Sequence, residues 1–287
     1  CMERYQPEAS RKHIELVLDI ADDISPRLLG DRNRLQTIIN TLVAQSLRHT
    51  ESGELELSVF HVGNHKRDGI FFQIQLTGSL IEHDELRRLF RTMGGPQEPL
   101  TDANIEQGIG LIIVKRLAAL MQGSIEVETL TYQGCSITLF LPIEEEPMDD
   151  CEETEDDNLL CGKRILVVDD NATFRGVIEK QTKRWGMKAD STYSGKEALA
   201  LMRNKANISE PYDFIIIDQD MPIMSGIQLT ERLMADDDIN PKPMRLMLTG
   251  LGMSNSAAEA EAAGIQKIVN KPISGRHLKE ALRELPL

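Results

Sequence analysis

Five polar residues stand at the ends of short apolar runs in the second half of this 287-residue chain. Asp169 and Asp170 follow RILVV, Asp218 closes FIIID, Thr249 closes RLMLT, and Lys271 stands just beyond IQKIV and before Pro272. Carboxylates gathered at one edge repel one another unless a hard cation sits between them, and Mg²⁺ takes such oxygen ligands while keeping several waters. A hydroxyl and an ammonium facing them supply donors for phosphoryl oxygens. The set suits in-line transfer of a phosphoryl group onto a carboxylate, helped by Mg²⁺ and the lysine.

The elements that must position these residues are legible around them. RILVV (164–168) is unbroken, apolar and β-branched, the pattern of a strand buried on both faces. Further strands are expected at 187–191, 214–218, 245–249 and 265–269. Helices are expected from about 171 to 185, from 195 to 203, after Gly226, over the Ala-rich 257–263, and after Ser274. Five such units imply an α/β doubly wound, five-stranded parallel sheet of flavodoxin-like type, with its ligand site at the carboxyl ends of the strands.

VVDDN, IIIDQDMPIMSG, LTG and NKPIS resemble the signature elements of two-component receiver domains, and the resemblance runs from Gly162 to the C-terminus. It implies that Asp218 is phosphorylated from a histidine, on a histidine kinase or a histidine phosphotransfer protein. It implies that Mg²⁺ is held at Asp169, Asp170 and Asp218 with the backbone carbonyl of Asp220, and that Thr249 and Lys271 respond to the phosphoryl group. One departure stands out: three residues before the lysine the family usually has Tyr or Phe, and this chain has Ile268. Any switch is then transmitted differently, although phosphorylation adds roughly −1.5 to −2 charges, enough to reposition a loop.

Length allows roughly two domains of about 150 residues, each able to bury a core without disulfides or metals. The stretch from Ile143 to Gly162, IEEEPMDDCEETEDDNLLCG, is almost wholly acidic, so it reads as an extended, solvated linker. This gives a first domain at 1–143, a linker at 144–161 and the receiver-like domain at 162–287. A net charge of −14 argues against a nucleic-acid partner. No run of about 18 apolar residues exists to cross a membrane, and the polar N-terminus is unlike a signal peptide. Its opening Cys suggests a fragment of a longer protein. Cys1, Cys135, Cys151 and Cys161 lack metal-ligand spacing and read as reduced thiols of a cytoplasmic protein, in itself or as the cytoplasmic part of a membrane-anchored sensor.

Before the linker the rhythm changes. KHIELVLDI (12–20) alternates like a half-buried strand, and 31–50 carries Leu35, Ile38, Ile39, Leu42 and Val43 on one helical face. ELELSVFHV and IFFQIQL read as an antiparallel pair, a helix is expected around Glu82–Phe90, and GIGLIIVKRLAALMQ reads as a helix before the strands SIEVETL and CSITLFLPI. The result is an α+β two-layer sandwich, one mostly antiparallel sheet covered on one face by helices.

From Arg11 to Ile143 this half resembles the ATP-binding domain of sensor histidine kinases, the GHKL or Bergerat type, through GDRNRLQTIINTL and IEQGIGLIIVKRLAALMQGSIEVETLTYQGCSITLFLPI. With the receiver, the layout resembles the C-terminal portion of a hybrid histidine kinase. The resemblance implies a residual nucleotide site at Gln45, Arg48, His49, Gly78, Gly108 and Gly110. It is degraded. Gln45 stands where the family's Mg²⁺-holding Asn belongs, and Thr41 replaces an earlier Asn. Leu76 occupies the place of the Asp that accepts a hydrogen bond from adenine, and its loss leaves a buried donor unpaired at about 1–3 kcal/mol. Leu80 replaces a glycine that lets the backbone come close.

Gly108 and Gly110 could cradle phosphates at the start of their helix, or serve only a tight turn. Met93 and Met121 read as core and lid packing. Of the histidines, His83 lies in EHDELRR but without a following Pro, His13 falls in a strand, His61 and His65 in a hairpin, and His277 on the last helix. The phosphorylatable histidine and the dimerisation helices, with any self-association through them, are expected upstream. Two readings follow: a signalling module with a working receiver and a pseudokinase-like domain for which ATP is doubtful, or an active kinase with an atypical pocket.

Overall fold

A computed structural model of the chain describes residues 2–25, 27–61, 69–77, 102–130, 134–145, 159–250 and 257–286. The chain divides into two compact units, Cys1–Met148 and Asp149–Leu287.

The first unit opens with a 3-10 turn (Met2–Tyr5) and helix α1 (Gln6–Arg11), neither evident in the sequence pattern. Strands β1 (Ile14–Ile20), β3 (Gly53–Phe60), β4 (Ile70–Leu76), β5 (Ser124–Leu130) and β6 (Gly134–Leu141) form one sheet in the order β1-β3-β4-β6-β5. Only the β1–β3 pairing is parallel. Alternation sorts the two faces: Ile70, Phe72, Ile74 and Leu76 of β4 point into the core, while Gln73 donates to Ser136 Oγ on the other face. Helix α2 (Arg32–Arg48) is started by Asp31, whose carboxylate accepts from the Arg34 amide at 3.0 Å, and buries Ile38, Ile39, Leu42, Val43 and Leu47. Helix α3 (Asp102–Leu120) sets Leu111, Val114 and Ala118 into the same core.

Three details differ from the sequence expectations. His13 is no strand residue but the turn before β1, with φ of 53°, because Lys12 and His13 close α1 through bonds to Glu8, Ala9 and Ser10 carbonyls. Glu144 and Glu145, expected in the solvated linker, form strand β7 antiparallel to β2 (Leu28–Leu29). Charge repulsion is offset there by specific partners: Glu145 Oε2 accepts from the Ser25 amide at 2.7 Å. His61 Nε2 lies 2.6 Å from Glu145 Oε1, close enough for an ion pair though off the line of a hydrogen bond. At the far end of the acidic stretch, Leu160 is fully buried. The expected helix around Glu82–Phe90 and residues His65, Gly78, Leu80, His83 and Met93 lie outside the described residues.

The second unit is a parallel sheet of β8 (Arg164–Val168), β9 (Lys188–Thr192), β10 (Phe214–Asp218), β11 (Met244–Thr249) and β12 (Lys267–Asn270), in the order β12-β11-β10-β8-β9. The central runs are apolar throughout because both faces are covered: every residue of FIIID is buried. Helices α4 (Ala172–Arg184), α5 (Gly195–Asn207), α6 (Gly226–Met234) and α8 (Gly275–Arg283) begin at Asn171, Ser194, Ser225 and Ser274, whose side chains each accept an amide from the first turn. The last strand starts later than its apolar run. Ile265 is used to end helix α7 (Ala257–Ala263), its amide donating to Ala260 O across Gly264 at φ 102°.

Lys12 shows how α1 is tied to the first unit's core helix. Its ammonium donates to the carbonyls of Leu47, Arg48 and Thr50 at 2.6, 3.3 and 3.2 Å, satisfying the C-terminal end of α2. Lys12→Met should lower the stability of this unit by about 1–2 kcal/mol, read as a lower denaturant midpoint; an unchanged midpoint would show that water satisfies those carbonyls equally well.

Candidate functional site

The carboxyl edge of the parallel sheet gathers the predicted residues. Carboxylate oxygens of Asp169, Asp170 and Asp218 all lie within 4.8 Å of one another. Asp169 and Asp218 are buried and Asp170 is exposed, so the cluster has a closed floor and an open mouth. Lys271 reaches across from the end of β12, beyond the strand that carries Thr249, and its Nζ lies 2.7 Å from Asp169 Oδ2 and 3.0 Å from Asp218 Oδ1. Such a buried pair stands only when the desolvated charges are paired and hydrogen-bonded. Asp169 Oδ1 accepts from the Asn171 amide at 2.8 Å, and Asp218 Oδ2 accepts from the Asp220 amide at 3.1 Å.

Local sequence explains the precision. Gly226 lets α6 begin against the end of β10: a Cβ there would meet the Asp218 carbonyl oxygen at 2.6 Å. Gln219 fixes the same junction, its Oε1 accepting from Ile227 N at 3.1 Å. The Lys271 amide donates to Thr249 O at 2.8 Å, which joins two predicted residues through backbone. Thr249 is buried, and its hydroxyl donates to the Gly250 carbonyl at 3.1 Å. Three hard oxygen donors converging beside a strand end fit the requirements of Mg²⁺.

Two contributors were missed in the sequence reading. Arg175 Nη1 donates to the Asp169 carbonyl at 2.6 Å, and the Lys271 ammonium lies 4.3 Å from the centroid of the Phe174 ring. Their signal was positional: both lie in the first turn of the helix that follows Asp169 and Asp170, at the same edge of the sheet.

Of the nucleotide-site residues expected in the first unit, Gln45, Arg48, His49, Gly108 and Gly110 are described, and they fall on or beside α2 and α3. Gly108 and Gly110, expected at a helix start, lie well inside α3, where backbone amides serve the helix itself rather than a phosphate. The GxG pattern reads as helix–helix packing instead: a Cβ on Gly110 would come to 3.0 Å from both Gln45 Nε2 and Thr41 Cγ2. Gln45 Oε1 is buried without a hydrogen-bond partner among the described residues. Arg48 ends α2 and His49 caps it, with the His49 amide donating to Gln45 O at 3.3 Å. Leu76 is an apolar core residue, 2% exposed, in register with Leu55 and Cys135. Burial pushes the Cys135 thiol up to about 11, a second sign that this spot is apolar.

Two outcomes are expected from these geometries. At pH 8 the Cys135 thiol stays protonated and covered, so thiol alkylation with peptide mapping should modify the exposed Cys161 and spare Cys135; equal modification would contradict the closed core at Leu76. Lys271→Met removes a counter-charge shared by two buried carboxylates and should cost about 3 kcal/mol without divalent cation. Mg²⁺ should then raise its melting temperature more than that of the unaltered chain, whereas equal Mg²⁺ effects would show that the ammonium does not compete for the cation's place.

Family models match both units. Residues 165–283 match the response regulator receiver domain, and residues 30–145 match the histidine kinase-, DNA gyrase B-, and HSP90-like ATPase. Among curated proteins, the chain is 26% identical over 287 residues to the autoinducer 2 sensor kinase/phosphatase LuxQ of Vibrio parahaemolyticus, covering 96% of this chain and 32% of that protein. It is 26% identical over 276 residues to the aerobic respiration control sensor protein ArcB of Escherichia coli, covering 93% and 33%. It thus spans about a third of the length of these relatives. Among solved structures, the receiver domain of the histidine kinase CKI1 from Arabidopsis thaliana, complexed with Mg²⁺ and BeF₃⁻, is 31% identical, covers 45% of this chain and 93% of that one, and has a TM-score of 0.41. Both families are matched in this order and relatives align along nearly the whole chain, so the chain carries a histidine kinase-like ATPase domain followed by a response regulator receiver domain, a layout similar to the C-terminal third of sensor kinases.

Proposed function

We propose that the receiver domain takes a phosphoryl group onto Asp218 from a phosphohistidine, carried by a histidine kinase or a histidine phosphotransfer protein. The observation that carries this reading is the convergence of Asp169, Asp170 and Asp218 with Lys271 already seated between two of them. An Asp218 carboxylate oxygen would attack the phosphorus in line, a new P–O bond forming as the P–N bond to the donor imidazole breaks. The departing imidazole keeps the electron pair and takes a proton from solvent. Asp169, Asp170 and Asp218, with the backbone at Asp220, would hold Mg²⁺, which supplies charge neutralisation for the phosphoryl oxygens. Lys271, already beside Asp218, would follow the negative charge onto the phosphoryl group, and Thr249 lies on the adjacent strand end to receive one of its oxygens.

For the ATPase-like domain we infer a role in binding partners and regulation rather than ATP-driven catalysis. Leu76 inside the apolar core, Gly110 filled against Gln45 and Thr41, and Gly108 and Gly110 inside a helix all support it. The match of residues 30–145 to the ATPase family, and relatives named as sensor kinases, favour the second reading, an active kinase with an atypical pocket. The proposed setting is the cytoplasm, where Cys135 and Cys161 stay reduced; among the described residues no helix is long and apolar enough to cross a membrane.

Acetyl phosphate with Mg²⁺ should label the unaltered chain, and Asp218→Asn should abolish the label; labelling that persists in this variant would sink the Asp218 assignment. Calorimetric titration of Mg·ATP into the Asp218→Asn chain should release no binding heat, while saturable micromolar binding would favour the active-kinase reading.

A further inference from the structure

We propose that Phe174 is a positioning residue for the phosphoryl chemistry, acting by holding the Lys271 ammonium against the face of its ring. The proposal rests on the reading of Asp218 as the phosphoacceptor. Lys271 Nζ lies 4.3 Å from the Phe174 ring centroid while also contacting Asp169 and Asp218. Both partners are covered: Phe174 is 2% exposed and Lys271 8%. A ring face carries negative charge density, and its attraction for a cation grows when water is excluded from the contact. The geometry therefore surrounds the ammonium with two carboxylates and one aromatic face.

The ring has a purpose that neither carboxylate can serve. Once Asp218 becomes an acyl phosphate, the oxygen bonded to phosphorus no longer carries carboxylate charge, and Lys271 must turn toward the phosphoryl oxygens. Asp169 is also a candidate Mg²⁺ ligand, so its charge is divided between the cation and the ammonium. The Phe174 ring alone among these three contacts is unchanged by metal and by phosphorylation. It gives the ammonium one constant point of contact as it turns and the charges around it are redistributed. Helix α4 holds the ring in turn: Asn171 Oδ1 accepts from the Phe174 amide at 2.7 Å, and the guanidinium of the next residue, Arg175, donates to the Asp169 carbonyl. The turn that carries the ring is thus anchored to the same aspartate strand end that carries the acids.

The test separates cation–π positioning from packing. Phenylalanine analogues with one, two and three ring fluorines, introduced only at position 174 of the whole chain, keep the ring's shape while draining its negative face. The rate of Asp218 labelling by acetyl phosphate with Mg²⁺ should fall stepwise across the series, to about tenfold at the trifluoro ring. The melting temperature should change little beside that fall. Phe174→Leu should lose a similar factor, and Phe174→Trp or Phe174→Tyr should recover most of it in whichever variant remains folded. A flat rate across the fluorinated series, or a leucine variant as fast as the unaltered chain, would overturn the proposal. Labelling that survives Asp218→Asn would instead overturn the reading beneath it, so the two failures are distinguishable.

Discussion

The ammonium of Lys271, shared between Asp169 and Asp218, is the interaction on which the receiver edge depends. Two buried carboxylates at adjacent strand ends would otherwise leave uncompensated charge in a low-dielectric site, a cost of several kcal/mol per ion. The sheet order makes the bridge possible: the strand ending at Asp218 lies between those that lead to Asp169 and to Thr249, with the strand before Lys271 next in line. Glycine at 226 and the amides of Asn171 and Asp220 then help to position the two carboxylates. In the proposed transfer, the same lysine that stabilises the resting edge would meet the new negative charge.

The two domains illustrate opposite uses of inherited folds. In the receiver domain, polar residues persist at strand ends where the sheet can use them. In the ATPase-like domain, on the reading proposed for it, the corresponding places serve packing: Leu76 contributes to the apolar core, and Gln45 and Thr41 meet α3 at a glycine.

Much of this was legible from sequence because the receiver's physics is local. An unbroken β-branched run such as FIIID announces a doubly covered strand, and the acid at its end announces the edge at which it works. Four side-chain caps, Asn171, Ser194, Ser225 and Ser274, mark helix starts by residue type. What was not legible depended on distant partners. Glu144 and Glu145 read as solvated charge until Ser25 and His61 are brought beside Glu145 by folding. Gly108 and Gly110 suggested a helix start because a glycine pair signals a turn, yet the close approach of Gln45 and Thr41 gives Gly110 a packing reason inside the helix. Phe174 looked like an ordinary helix residue, and only the closing of the sheet places it beside Lys271, whereas Arg175 reaches Asp169 locally, six residues back.

The most direct measurement of the central claim is chemical mapping of the phosphorylated residue. An acyl phosphate is reduced by borohydride to an alcohol, so an aspartyl phosphate at position 218 is converted to homoserine, which mass spectrometry locates to a single residue. After phosphoryl transfer from a phosphohistidine protein, the account predicts homoserine at position 218 and at no other aspartate. Homoserine at another position, or phosphate retained on a histidine with Asp218 unaltered, would contradict it.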